Sequence, residues 1–341
     1  MNTIKIYWNE ISVVLNNIYL EGIEEVRVEY PFLEIPLLKI NMEKSEIEIL
    51  ADKKDFDRGR KDLPKFLQWD LANHHDFLDS LIIGGVIPFK NAKDVERLLK
   101  LKMEEISEPF FAPKPIFIGI DTNIAYYKAI SNFYSYDKFG YAIAKTVLEE
   151  IDARIHDKYT PREIDYFQSL PYGKYAKYFV NGSVKESRIA KMALGEILWM
   201  EKNLKTLRVK SGEYVADKEM RDRVIVESYA KFAEEYGVEV IVMSADKDFA
   251  FHAESYGIPS IHLELPHDFP VRIHAEFENV LKLIYVLAEI MGIIKIRDYI
   301  ILGEFPGKGS EDYAEGALFL TTKDKRVLRD IEICRRWINE Q

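Results

Sequence analysis

Acidic side chains that could bind a divalent cation follow two apolar runs of this sequence. Asp121 comes directly after the run from Ile116 to Ile120, and Asp246 comes shortly after the run from Val240 to Met243. Apolar runs of this length without alternation indicate strands buried on both faces, as in a parallel sheet covered by helices. Open parallel sheets bind ligands outside the carboxyl ends of their strands, so we expect both acids to lie in one crevice.

Helical periodicity adds two more acids to this crevice. In TVLEEIDARI, Glu150 lies nearer than Glu149 to the edge of the apolar face. A carboxylate at the rim of a buried face needs a cation or hydrogen-bond donors, so Glu150 is the preferred candidate. Asp222 opens a second helix, about 50° from the centre of its apolar face. It could cap the helix or bind a metal, and the sequence leaves both interpretations open.

Four carboxylates at one place require compensation. Each like pair repels by about 4 kcal/mol at about 4 Å and an effective dielectric constant of about 20, and a divalent cation removes that penalty. Oxygen ligands without thiolates or paired histidines favour Mg²⁺ or Mn²⁺. Such a cation, bound to a phosphodiester, can activate water and polarise a phosphoryl oxygen, so the pattern predicts metal-assisted hydrolysis.

Four motifs occur in the order IGIDTN, VLEEID, DRVI and SADKDF. In chain order they supply Asp121, Thr122 and Asn123; Glu150; Asp222; and Ser244, Asp246 and Asp248. By these motifs the chain from about Pro115 to Pro266 resembles a PIN domain, a family of nucleases that includes toxin ribonucleases and RNA-processing endonucleases. The resemblance implies a Rossmann-like parallel sheet, dependence on Mg²⁺ or Mn²⁺, and cleavage of single-stranded RNA to 5′-phosphate and 3′-hydroxyl ends.

The resemblance also implies a role for each matched residue. The metal ligands and catalytic residues would be Asp121, Glu150, Asp222 and Asp246. Asn123 and Ser244 would orient these carboxylates through hydrogen bonds, and Asp248 would be auxiliary. Water on the metal would be the nucleophile.

The formal net charge of −10 disfavours nucleic acid unless the cations cluster. Between Lys158 and Lys210 there are eleven Lys or Arg residues against five Asp or Glu, interleaved with eight aromatic residues. Cations can follow a phosphate backbone while aromatic rings stack on unpaired bases. The alternative is a solvated helical face whose aromatic residues belong to the core. The first interpretation predicts nucleic-acid contacts from Lys174, Lys177, Lys185, Arg188 and Lys191.

The elements that would position the acids alternate as strand and helix, which is typical of an α/β layer. Residues 113–266 are therefore predicted to form a PIN-like nuclease domain, with a parallel sheet flanked by helices. Residues 1–112 are predicted to form an N-terminal α+β domain. The segment EPFFAPKP, 108–115, is predicted to be the linker between them.

Residues 267–341 are predicted to form a small C-terminal α+β extension of the helix-hairpin-helix type. Its predicted elements are a helix from Ala275 to Met291, a strand from Ile293 to Leu302 and a strand from Gly316 to Thr321. The segment GEFPGKGS lacks the spacing of a phosphate-binding loop and is predicted to be a hairpin loop between strands.

Composition limits the class of protein. A length of 341 residues and 48% hydrophobic content predict two or three domains with sizeable cores. A single cysteine, Cys334, excludes an intrachain disulfide framework and a cysteine-rich zinc site. No apolar run of membrane-spanning length and no leader pattern is present, so we expect a soluble, cytoplasmic protein.

Two functions remain from the sequence. The first is a metal-dependent endoribonuclease, and the second is a catalytically silent RNA-binding or scaffold protein of the same fold. A phosphatase of the haloacid dehalogenase type needs Asp-x-Asp-x-Thr, and IDTN lacks its second aspartate. The flanking segments are candidates for RNA binding, for a homodimer interface or for a purely supporting role beside the nuclease domain.

Overall fold

The computed structural model describes residues 2–107, 114–212 and 217–339, with side chains up to residue 337. Its strands are β1 (Asn2–Tyr7), β2 (Glu25–Tyr30), β3 (Ile35–Asn41), β4 (Glu46–Ile49), β5 (Ile116–Ile120), β6 (Gly140–Ala144), β7 (Thr206–Val209), β8 (Glu239–Ser244), β9 (Ser260–His262), β10 (Arg272–His274), β11 (Ile293–Ile296), β12 (Tyr299–Leu302) and β13 (Ala317–Thr322).

The α-helices are α1 (Ile11–Leu20), α2 (Lys53–Arg60), α3 (His74–Ile83), α4 (Ala92–Ser107), α5 (Thr122–Tyr126), α6 (Ala129–Phe133), α7 (Lys145–Asp152), α8 (Pro161–Ser169), α9 (Lys185–Asn203), α10 (Lys218–Tyr236), α11 (Lys247–Ser255), α12 (Phe277–Met291), α13 (Ser310–Glu315) and α14 (Lys325–Asn339). Short 3-10 helices cover Trp8–Glu10, Lys65–Leu67 and Gly173–Phe179. No described helix combines the length and apolar character that a membrane crossing needs.

The chain folds into two compact units, and each is made of separate segments. Unit 1 contains Met1–Ile87, Asp157–Ile189 and Phe269–Gln341. Unit 2 contains Pro88–His156 and Ala190–Asp268. Each unit has one of the two sheets, so the fold is mixed α/β, with one parallel and one antiparallel sheet.

Unit 2 contains a five-stranded parallel sheet in the order β7-β6-β5-β8-β9. Every residue of β5 and of β6 is buried, which explains why these strands are continuous apolar runs rather than alternating ones. Numbered within unit 2, the strand order is 3-2-1-4-5. Successive strands are therefore added toward one edge of the sheet as far as β7 and toward the other edge from β8 onward. The place between β5 and β8 is thus the topological switch point of a doubly wound sheet.

Helix α10 is fastened to the carboxyl ends of the central strands by Tyr229. The Tyr229 hydroxyl lies 2.6 Å from the carbonyl oxygen of Ile120 and accepts a hydrogen bond of 3.1 Å from the Ala144 N–H group. Its ring lies against Gly119, where a Cβ atom would approach the ring to 3.1 Å. The glycine thus permits close packing of helix on strand next to Asp121.

Unit 1 contains an eight-stranded antiparallel sheet in the order β1-β13-β12-β11-β2-β3-β4-β10. The first strand of the chain pairs with the last along six residues, from Asn2 with Thr322 to Tyr7 with Ala317. Strand β11 pairs with β2, which joins the C-terminal strands to the N-terminal ones. The two terminal parts of the chain therefore share one sheet.

The domain boundaries differ from those drawn from the sequence. Residues 1–112 and 267–341 were predicted to be separate, yet their strands form one sheet, and 157–189 belongs with them. Pairing between strands about 300 residues apart leaves no local pattern in the sequence. The predicted linker falls mostly on 108–113, which lie outside the described residues.

Two predictions for the C-terminal part were wrong in detail. The predicted strand from Ile293 to Leu302 is a hairpin of β11 and β12, with Arg297 in the left-handed region at φ 51°. The segment GEFPGKGS ends in a helix and not at a strand, because α13 begins at its last residue, Ser310, where the Gly309 N–H group donates to Asp312 in the first turn.

Candidate active site

Two predicted acids lie at the switch point of the parallel sheet. Asp121 directly follows β5, and Asp246 lies two residues beyond β8, the strand that pairs with β5. The Asp121 N–H group donates a hydrogen bond of 3.0 Å to the Met243 carbonyl oxygen, which extends the strand pairing to the acid itself. The position is the one at which open α/β sheets bind ligands.

The Asp121 carboxylate is buried and held by three donors. Its Oδ1 atom accepts a hydrogen bond of 2.6 Å from the Thr122 N–H group, so Asp121 also caps α5. Its Oδ2 atom accepts from the Ser244 hydroxyl at 2.7 Å and from the Asn123 amide. The carboxylate is therefore fixed in orientation before any ligand binds.

Asn123 and Ser244 connect the ends of β5 and β8. The Asn123 Oδ1 atom accepts from the Ala245 N–H group at 2.7 Å, and its amide nitrogen lies 3.2 Å from the Ser244 hydroxyl. That hydroxyl accepts from the Asp246 N–H group at 2.9 Å. Both residues thus have the orienting contacts that the sequence analysis assigned to them, and through these contacts the two acids are coupled.

Glu150 on α7 is tied to the same loop. Its Oε2 atom accepts a hydrogen bond of 2.7 Å from the Thr122 hydroxyl, the residue next to Asp121. Its Oε1 atom lies 3.2 Å from Arg221 and 3.3 Å from Arg154. Glu149 instead forms an ion pair of 2.7 Å with Lys145 on its own helix. The structure therefore brings Glu150, and not Glu149, to the residue beside Asp121.

Asp222 lies in the first turns of α10 and is not the residue that caps this helix. Asp217 caps α10, because its carboxylate accepts from the Met220 N–H group at 3.0 Å. Asp222 is buried, and burial raises its pKa to about 6, against the opposing charge of Lys218. The charges of Asp246 and Glu150 raise this pKa further. Asp222 is thus within electrostatic reach of the other candidate acids.

Among the four candidate acids, Asp121 has the most strongly raised pKa. Burial raises the pKa of Asp121 to about 7, although the hydrogen bonds from Ser244 and Thr122 act in the opposite direction. The charges of Asp222 and Glu150 add to the rise. Such a carboxylate is partly protonated at neutral pH, and a nearby cation would stabilise its ionised form.

Asp246 has the opposite character. Burial acts to raise its pKa, but hydrogen bonds from Lys218 and from the Asp248 N–H group outweigh burial and leave the pKa below its usual range. The Lys218 ammonium lies 2.5 Å from the Asp246 Oδ2 atom, and the Asp248 N–H group lies 2.9 Å from Oδ1. Asp248 acts on Asp246 through its backbone.

Cations of the protein itself already contact the acids, which the sequence analysis did not anticipate. Lys218 contacts Asp246, while Arg154 and Arg221 contact Glu150. Lys218 and Arg221 stand four residues and one residue before Asp222 on α10. Residues four apart are neighbours on a helix, so the sequence itself indicates that Lys218 lies near Asp222.

The donor set fits a hard divalent cation by chemistry, because it consists of carboxylate oxygens without thiolate or imidazole. The described residues contain no group of three or more His, Cys, Asp or Glu side chains already arranged to hold a metal ion. Lys218 at 2.5 Å from Asp246 occupies part of the coordination space of that carboxylate. Metal binding by the Oδ2 atom of Asp246 therefore requires Lys218 to withdraw.

The predicted nucleic-acid contacts are only partly accessible. Lys174 and Lys177 are exposed, and Lys191 is half-buried. The prediction fails for Lys185 and Arg188, which are 3% and 0% exposed. The Lys185 ammonium lies 2.7 Å from an oxygen of Asp76, and the Arg188 guanidinium donates to backbone carbonyl oxygens inside unit 1.

Half of the eight aromatic residues of the basic region belong to the core. The buried ones are Tyr159, Phe167, Tyr175 and Phe179. Phe167 and Phe179 lie 5.9 Å apart and both pack on Tyr159. For these residues the alternative interpretation, a solvated face over an aromatic core, is the one that holds.

Comparison with known proteins adds no identity. No protein-family model matches the chain, and no curated protein matches it.

Proposed function

We propose that this chain is a metal-dependent endoribonuclease with a PIN-like domain, which hydrolyses phosphodiester bonds of single-stranded RNA. The observation that carries the proposal is the pairing of Asp121 and Asp246 at the switch point of a parallel sheet, joined through Asn123 and Ser244. Two helix-borne acids, Glu150 and Asp222, act on Asp121 electrostatically. The order of the four acids in the chain supports a nuclease among the possible metal enzymes.

Under this proposal Asp121, Glu150, Asp222 and Asp246 would hold Mg²⁺ or Mn²⁺. The cation would polarise the scissile phosphoryl group and activate a water molecule. Ser244 and Asn123 keep the Asp121 carboxylate in one orientation, so little reorganisation is needed when substrate binds. Thr122 holds Glu150 in the same way.

Asp222 and Lys218 each have a part in this proposal. Asp222, whose pKa burial raises to about 6, is mostly ionised at neutral pH and is therefore ready to bind a cation without first losing a proton. The side chain of Lys218 is 68% exposed and bears an ammonium group that can donate to a phosphate oxygen.

The test is cleavage of a 5′-labelled single-stranded RNA in EDTA, Mg²⁺ and Mn²⁺. We expect cleavage only with a divalent cation, and a loss of at least about 100-fold in Asp121→Asn and Asp246→Asn. Asp152→Asn is the matched control, because Asp152 is an exposed acid at the end of α7. Wild-type rates in both site variants would contradict the proposal.

The second candidate is a catalytically silent RNA-binding or scaffold protein. It is favoured by one observation, the contacts of Lys218 and Arg221 with Asp246 and Glu150, which neutralise carboxylates without a metal. RNA binding that persists in EDTA, with no cleavage in Mg²⁺ or Mn²⁺, would establish this alternative. RNA binding is then expected to be insensitive to Asp121→Asn.

A further inference from the structure

Two basic residues of α10 each contact one acid of the site. The Lys218 ammonium lies 2.5 Å from the Oδ2 atom of Asp246. A guanidinium nitrogen of Arg221 lies 3.2 Å from the Oε1 atom of Glu150. The Lys218 side chain is 68% exposed, whereas the Arg221 side chain is 10% exposed. Lys218 can therefore withdraw into water, but Arg221 would keep a desolvated charge if Glu150 turned to a metal ion instead.

Glu150 is enclosed by donors, and one of them is both charged and buried. The Glu150 side chain is 13% exposed. Its Oε2 atom accepts a hydrogen bond of 2.7 Å from the Thr122 hydroxyl, and its Oε1 atom also lies 3.3 Å from Arg154, whose side chain is 50% exposed. A guanidinium is not deprotonated in proteins, so Arg221 places a permanent positive charge on this carboxylate. A divalent cation bound to the same carboxylate would lie beside a like charge that water screens poorly.

Asp121 offers its charge more readily, because its three donors are neutral. They are the Thr122 N–H group, the Ser244 hydroxyl and the Asn123 amide. Neutral donors fix the orientation of a carboxylate and leave its negative charge for a cation. Asp246 is freed in turn when its exposed lysine withdraws. The site thus divides into acids that can receive a metal ion and one acid, on α7, that keeps an arginine.

Formal charge indicates how many divalent ions the site can take. The four candidate acids carry four negative charges when ionised, and Arg154 and Arg221 offset two of them after Lys218 has withdrawn. One divalent cation offsets the remaining two, whereas a second would leave two positive charges in excess. Charges held away from water require compensation, so the count favours a single ion.

We propose that the site takes one divalent cation, and that Arg221 supplies the positive charge that a second cation would bring. The ion would be bound by Asp121, Asp222 and Asp246, and Glu150 would position Arg221. This inference rests on the proposed function and narrows its ligand set. A fixed guanidinium can stabilise the charge that develops on a phosphoryl group, as the second metal ion does in two-metal sites. The site therefore combines an exchangeable cation with a built-in one.

The test is a titration of the metal-free, full-length protein with Mn²⁺ at about pH 8, where the ligands have lost their protons. Isothermal titration calorimetry gives the number of bound ions per chain and their dissociation constants. Electron paramagnetic resonance shows whether two bound ions lie close enough for their spins to couple. We expect one ion per chain in the wild type, with the spectrum of an isolated Mn²⁺ ion.

Arg221→Gln removes the built-in charge and should open the place of a second ion beside Glu150. We expect two Mn²⁺ ions per chain in this variant, with a spin-coupled spectrum. Arg154→Gln is the matched control, because it removes a charge from the same carboxylate but leaves Arg221 in place. It should still bind one ion, and so should Arg221→Lys, which keeps the positive charge.

The double variant Glu150→Gln/Arg221→Gln keeps the test valid if Arg221→Gln does not fold. It removes both charges together, so neither is left buried without the other. We expect it to bind one ion, with a dissociation constant within about threefold of the wild-type value, because no ligand is lost. Asp222→Asn removes a ligand and should weaken binding at least about tenfold.

Three results would each overturn this inference: two ions in the wild type, one ion in Arg221→Gln, or a double variant that binds the ion at least about tenfold more weakly. A wild type that binds no Mn²⁺ would overturn the proposed function as well. One bound ion without cleavage of RNA would overturn the nuclease activity alone.

Discussion

Replacement of Asp121 by asparagine is expected to stabilise the protein above neutral pH. Asp121 is buried at the end of β5, and burial together with the charges of Asp222 and Glu150 raises its pKa to about 7. Above that pH the folded protein must keep an ionised carboxylate in a place that disfavours it. Asparagine has a similar shape, retains an oxygen that can accept from the Thr122 N–H group and carries no charge.

The magnitude follows from the pKa. A rise from 3.8 to about 7 corresponds to a cost of about 4 kcal/mol once the group is ionised in both states. Because the folded-state pKa is raised, the stability that Asp121 contributes is complete below about pH 3.8 and is lost as the pH rises to about 7. The amide nitrogen of asparagine cannot accept from the Ser244 hydroxyl and the Asn123 amide, so the loss of two hydrogen bonds offsets part of the gain. At about 0.5 to 1.5 kcal/mol for each bond, we expect Asp121→Asn to be about 1 to 3 kcal/mol more stable at pH 8.

Asp246→Asn is the matched control because it should have the opposite sign. The hydrogen bond from Lys218 and the backbone bond from Asp248 leave the pKa of Asp246 below its usual range. Its ionised form therefore contributes stability above the unfolded-state pKa, and that stability is lost as the pH falls. Removing the charge should destabilise the protein at pH 8 and have little effect at low pH.

Urea unfolding in EDTA, followed by circular dichroism at about pH 4 and about pH 8, measures these differences. The unfolding midpoint of Asp121→Asn should be no higher than that of wild type at about pH 4 and higher than it at about pH 8, with equal dependence on urea concentration. An Asp121→Asn variant that is less stable than wild type at pH 8 would refute the reasoning. A difference that is the same at both pH values would refute it as well.

The affinity for Mn²⁺, measured by isothermal titration calorimetry, is expected to fall about 20-fold from pH 8 to pH 6. Asp121 and Asp222 have pKa values of about 7 and about 6, and both must lose their protons before they bind the ion. An affinity independent of pH would contradict this prediction. Lys218→Met should raise the Mn²⁺ affinity by up to about fivefold at pH 8, since it removes an exposed cation that contacts a site carboxylate, whereas Lys218→Arg should not. Lys308 and Glu289 form an ion pair whose two side chains are fully buried. Lys308→Met leaves the Glu289 carboxylate without its cation and should lower the free energy of unfolding, measured in urea, by about 3 to 5 kcal/mol at pH 8, and adding Glu289→Leu should restore most of this loss. An unchanged free energy of unfolding in Lys308→Met would contradict a stabilising role for the pair.

Sequence patterns were most informative where the structure is local. The apolar runs before Asp121 and Asp246 correspond to β5 and β8, and their full burial explains the absence of alternation. Helical phase distinguished Glu150 from Glu149, because it depends only on residues within two turns. Spacing also left the role of Asp222 open, and the structure shows that Asp217 caps the helix instead.

Contacts between residues far apart in the chain could not be predicted from the sequence. The pairing of β1 with β13 joins residues about 315 apart, and no local pattern announces it. For the same reason the sequence wrongly predicts that Lys185 and Arg188 are surface cations. Lys185 pairs with Asp76 and Arg188 donates to the Glu289 carbonyl oxygen, partners that lie 109 and 101 residues away. A cation with a distant buried partner looks the same in a sequence as one in solvent.

A crystal soaked in Mn²⁺ and measured at the manganese absorption edge tests the central claim most directly. The account predicts an anomalous peak among the carboxylates of Asp121, Asp222 and Asp246, close to Glu150, with the Lys218 ammonium withdrawn from Asp246. Lys218 still in contact with Asp246, and no peak at the ends of β5 and β8 at saturating Mn²⁺, would contradict it.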